Sequence, residues 1–154
     1  MSFRISGLPA AEFSQWFTLS DEELARRHAV RRTADSKPGY PCRISLTDAE
    51  PGDEVLLINH EHLAVDSPYR SRHAIYIRAG EQTFDAIDDV PAMLRSRLLS
   101  LRAFDAHGML VNADVVDGRQ LEAGIAQLFE DAAVAYIHAH FAKPGCYAAR
   151  IERA

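Results

Sequence analysis

Cysteine is scarce: Cys42 and Cys146 are the only two in 154 residues, too few for a disulfide framework in a chain of this size. Two reduced, mostly buried thiols match that number, and a cytoplasmic protein is expected. Long apolar runs are also missing. The longest stretch falls far short of the ~20 residues that cross a bilayer. The opening Met1–Gly7 has Arg4 where a signal peptide needs an apolar core, so no membrane partner and no export signal is expected. Positive charge is not in excess either. A net charge of -5 offers no long-range attraction to nucleic acid, so a small anion is the charged partner that a local basic cluster would attract. Gly-rich phosphate loops, a nucleophile-elbow serine, a CxxC pair, internal repeats and long βαβ alternation are all lacking. A doubly wound nucleotide-binding fold is therefore not expected.

What remains is a globular composition, 47% apolar and 25% charged, with no linker. One domain over residues 1–154 is expected, large enough to bury about 68–70% of its unfolded surface. Phe3–Ile5 reads as a short strand. Phe13, Trp16 and Phe17 then fall on one helical stripe after Pro9. Ser20 and Glu23 form a capping box, flanked by the staple pair Leu19 and Leu24. Strands are expected over Cys42–Leu46, Glu54–His62 and His73–Arg78, with a short helix over Val90–Leu98. Hairpins follow at Leu98–Asp105 with Met109–Val116 and at Val134–Phe141 with Cys146–Glu152. Between them, Asp117 and Gln120 start a helix with Leu121, Ile125, Leu128 and Phe129 on its apolar face. The class expected is α+β: a largely antiparallel sheet of about six or seven strands with three or four short helices packed on it.

Three polar constellations carry chemistry. In Tyr136-Ile137-His138-Ala139-His140, residues at i and i+2 of a strand share a face, which sets His138 and His140 about 6–7 Å apart at Cβ. That spacing suits two imidazoles on one divalent metal ion, with His60, His62, His73 or Asp114 as the third ligand. The competing role is simple cross-strand stacking. In the segment Asp66–His73, Tyr69, Arg70 and His73 stand near a turn, and Arg43 and Arg102 interrupt apolar runs elsewhere. Guanidinium forks bind carboxylate or phosphate, so these five residues are candidates for an anionic ligand; internal ion pairs are the alternative. The third candidate is nucleophilic, Cys42 or Cys146 beside a histidine, against inert packing. If the protein is an enzyme, His73, His138 and Cys146 are the catalytic candidates, histidine because it alone titrates near neutrality without help.

Five strings place the chain near a known family: Lys37-Pro-Gly-Tyr-Pro-Cys-Arg43, Ser67-Pro-Tyr-Arg-Ser-Arg-His73, Leu99-Ser-Leu-Arg-Ala-Phe-Asp105, Asp114-Val-Val-Asp-Gly118 and Pro144-Gly-Cys-Tyr-Ala-Ala-Arg150. As a set they resemble the family called domain of unknown function 1203. The resemblance implies a small bacterial single-domain protein and brings no established activity or catalytic residues. His60 departs from the pattern, where an aromatic residue such as tyrosine is more usual. Three readings stand: an anionic small-molecule site, a metal-binding protein or metal-dependent hydrolase centred on His138 and His140, and a non-catalytic scaffold or regulatory module.

Overall fold

The computed structural model describes residues 1–154. Strand β1 (Phe3–Ser6) leads into helix α1 (Ala10–Phe13), a 3₁₀ turn over Ser14–Thr18 and helix α2 (Asp21–Arg26). Strands β2 (Val30–Thr33), β3 (Pro41–Cys42), β4 (Thr47–Asp48), β5 (Glu54–Leu63), β6 (Ser71–Ile77) and β7 (Asp85–Ile87) follow. Helix α3 (Ala92–Arg95) precedes the hairpin β8 (Leu98–Phe104) and β9 (Leu110–Asp117). Helix α4 (Leu121–Phe129) and the hairpin β10 (Tyr136–Phe141) and β11 (Tyr147–Arg153) complete the chain.

The class is α+β and the pairing is largely antiparallel, as the sequence indicates. The strands number eleven and divide between two sheets. One is six-stranded and antiparallel, in the order β7-β1-β11-β10-β8-β9; the other is five-stranded, β2-β5-β6-β3-β4, with a single parallel pair between β3 and β6. The short strands β3, β4 and β7 account for much of the difference, because two or three residues leave no periodicity to read.

The capping box forms as expected: the Ser20 hydroxyl accepts from the Glu23 amide while the Glu23 carboxylate accepts from the Ser20 amide. The Asp117 carboxylate accepts from the Arg119 amide and starts a 3₁₀ turn, Gly118–Gln120, that runs into α4. A side chain at Gly118 would collide with the carbonyls of Leu94 and Arg95, so glycine there lets the α4 entry lie against α3.

β10 explains the site. All six of its residues are buried. On one face Ile137, Ala139 and Phe141 pack into the larger core with Met93 and Leu94 of α3 and Leu121, Ile125 and Leu128 of α4. On the other face Tyr136, His138 and His140 look toward the second sheet, where Leu56, Ile58, Ile75 and Ile77 form a separate core that takes in Tyr147 of β11. Each such aliphatic side chain contributes roughly 1.5–3 kcal/mol on full burial. Two imidazoles thus stand in the interface between two apolar surfaces.

The alternation over Cys42–Leu46 does not carry a full strand. β3 stops at Cys42, and Leu46, at φ 53, donates its amide to the Cys42 carbonyl, so residues 43–46 turn the chain back into β4. Gly7 lies directly on this turn, where a Cβ would strike the Ile44 carbonyl, and the Leu8 amide donates to the Arg43 carbonyl. Arg43 is therefore set by a clamped turn and not by a strand.

Candidate metal centre

Four histidines meet between the sheets. His138 and His140 share a face of β10, with ring centroids 6.4 Å apart. His62 comes from β5 through a β-bulge: Glu61 pairs with Arg72 and Leu63 with Ser71, which leaves His62 as the extra residue. Its ring lies 5.7 Å from His138 and 5.1 Å from His140, and stacks on Tyr147 at 4.9 Å. His73 of β6 stacks against His62, with its Nδ1 2.6 Å from His62 Nε2.

Burial is the main force on these rings. It pushes His138 down to about 2 and His62 and His140 down to about 3, with the neighbouring histidines and Arg102 acting in the same direction. His73 is lowered by burial, then by Arg102 and Arg43. The imidazoles are therefore neutral at physiological pH, each with one donor and one acceptor nitrogen.

The hydrogen bonds assign part of the tautomer pattern. His140 Nδ1 donates to the Gly145 carbonyl at 2.9 Å, which leaves Nε2 with its lone pair. That nitrogen is buried without a partner, as are His62 Nδ1 and His138 Nδ1. Leaving a buried polar atom unsatisfied costs about 1–3 kcal/mol, so three in one cluster call for something to satisfy them. His62, His138 and His140 each offer a ring nitrogen, and the three lie within 4.8 Å of one another. At metal–nitrogen distances of about 2.0–2.1 Å, tetrahedral ligands stand roughly 3.3 Å apart, so the three rings would draw closer to share one ion. The Gly145 carbonyl behind His140, and the His62–His73 contact, hold the rings through their second nitrogens, the kind of contact that metal-bound imidazoles commonly make.

The sequence-derived anion candidates separate into groups. Arg43 is 2% exposed; its Nε donates to the Tyr147 carbonyl (2.8 Å), Nη1 to the Pro41 carbonyl (2.7 Å) and Nη2 to Cys146 Sγ (2.9 Å). It lines a cavity of about 500 Å³ together with His73, Tyr76, Arg97, Phe141 and Cys146. Arg102 pairs across the strands with His138, so their side chains share a face, and its charge disfavours protonation of all four histidines. Tyr69 and Arg70 stand apart from both places. Tyr69 meets the edge of Phe104, and Arg70 is spent on Glu61 and the Val65 carbonyl. Of the other ligand candidates, His60 packs against Phe13, and Asp114 lies on the exposed stretch of β9. Cys42 is fully buried, and both thiols are free.

Sequence reasoning placed His62 only among several third ligands and passed over Arg97 and Tyr147. The alternation of Leu56, Ile58, His60 and His62 along β5 is the signal that would have set His62 on the inward face.

Fold and site together define a class: an α+β protein of two stacked sheets, with a neutral histidine cluster at their interface and an arginine-lined cavity beside it. The chain belongs to the family described as Protein of unknown function (DUF1203), whose model matches residues 39–153 and so includes the whole cluster and cavity. No curated protein and no solved structure matches the chain.

Proposed function

We propose that this protein binds one divalent first-row transition ion through His62, His138 and His140. The observation that carries the reading is one buried, unpartnered nitrogen on each of three neutral imidazoles that converge from two sheets. Neutral imidazole is the form that binds metal, and these rings need release no proton at neutral pH to bind it. All three ligands are nitrogen, which favours zinc, copper, nickel or iron over magnesium or calcium. Three protein ligands leave a coordination position open, and an ion so held supplies a water activated for hydrolysis. Metal-dependent hydrolysis is the reaction class that follows, with His73 next to the cluster as the proton-carrying group.

The test is metal content. Untagged protein purified without chelators, or reconstituted with zinc or cobalt, should hold about one ion per chain by elemental mass spectrometry. His140→Phe should abolish uptake while circular dichroism shows the sheets intact. A folded wild type that takes up no ion from zinc, cobalt, nickel or copper overturns the reading.

A further inference from the structure

We infer that the cavity beside the cluster binds a small monocarboxylate, its carboxylate on Arg43 and its apolar body against Phe141 and Tyr76. The cavity measures about 500 Å³, and its wall holds two arginines and no acidic residue. The two arginines differ. Arg97 is already neutralised by Asp48, which takes both of its terminal nitrogens at 3.0 and 2.6 Å. Arg43 forms no ion pair. Its three bonds go to two neutral carbonyls and the Cys146 sulfur, which leaves two of the five guanidinium N–H groups free.

A guanidinium stays charged in proteins, and a buried charge without a counter-ion is among the most unfavourable arrangements a fold contains. The Phe141 ring, lying under both Arg43 (4.9 Å) and Arg97 (4.8 Å), disperses some of that charge but does not cancel it. Nor does the groove lined by Phe17, Asp53, Glu54 and Arg78 offer a better site: Arg78 there is paired with both Asp53 and Glu81, so no charge is free. One uncompensated positive charge in a partly apolar cavity fits a monoanion with an apolar body. A phosphate group, carrying about −1.5 to −2, exceeds it. His73 lines this cavity and touches His62, so a carboxylate ligand here lies next to the histidine cluster. The inference rests on Arg43 and holds with or without a metal.

Benzoate is the probe, and benzamide is its neutral isostere. Cys42 is fully buried and Cys146 lines the cavity, so the rate of iodoacetamide alkylation, followed by mass spectrometry on chelator-treated wild-type protein, reports occupancy. Benzoate should slow alkylation of Cys146 saturably, and benzamide should need at least about tenfold higher concentration for the same protection, as loss of a charge-assisted pair implies. Calorimetric titration of Arg43→Met should show no benzoate binding. If that variant fails to fold, the wild-type comparison still decides. No protection by benzoate, or equal protection by benzamide, overturns the inference. Because the metal is removed beforehand, either result is independent of whether the histidines bind an ion.

Discussion

Acidification should destabilise the metal-free protein well before its carboxylates titrate. His138 and His140 are 2% and 0% exposed, and burial holds them at about 2 and about 3 in the folded state. Once the chain unfolds they return to the ordinary value near 6.5. Below that pH the unfolded state binds protons that the native state refuses, so stability falls as pH falls. At one unit below 6.5 each group contributes a loss of about 1.4 kcal/mol, and the pair together about 3 kcal/mol. His62, more open and sharing its Nε2 with His73, adds a smaller amount. Against a total stability of about 5–15 kcal/mol, that loss is large. Asp117, held near 2 by the side chain and then the amide of Arg119, responds only at much lower pH, so the interval just below 6.5 belongs to the histidines. Urea unfolding of chelator-treated protein at pH 7.5 and 5.5 measures the difference. The midpoint should drop with an unchanged m-value, and His138→Phe should reduce the loss by about 1.4 kcal/mol. Equal stability at the two pH values would mean that the rings accept protons in the folded state, and the argument from burial would fail.

Three further outcomes follow from individual contacts. His73→Phe removes the partner at His62 Nε2 and should weaken metal affinity about 10–100-fold, measured by competition with a chromophoric chelator. Asp48→Ala leaves the largely buried Arg97 without its bidentate partner and should cost about 3 kcal/mol in urea unfolding; unchanged stability would show that solvent reaches this pair freely. Gly118→Ala drives a Cβ into the Leu94 and Arg95 carbonyls, and should lower stability by about 3 kcal/mol without affecting metal stoichiometry.

Much of the local structure was legible from the sequence alone. The capping box at Ser20 and Glu23, the Asp117 start of the α4 segment and the two long hairpins rest on interactions within a few residues, so their signals stand next to each other in the chain. The shared face of His138 and His140 was legible for the same reason, since a strand repeats every two residues. The turn at Arg43 was not, because alternation cannot report that Leu46 adopts a positive φ and ends the strand.

The second sheet, and with it the site, was decided only in three dimensions. Alternation along β5 marks the inward face of His62, but its meeting with His138, far away in sequence, depends on the packing of one sheet on the other. Arg43 and Cys146 meet because the clamped turn of one sheet abuts the final hairpin of the other. Arg70, with the same chemistry, is drawn away by Glu61. Residue types and periodicity established what chemistry the chain carries. Sheet-on-sheet packing selected which of those groups converge, because the apolar faces must cover each other and the polar side chains caught between them have only one another, or a ligand, for partners.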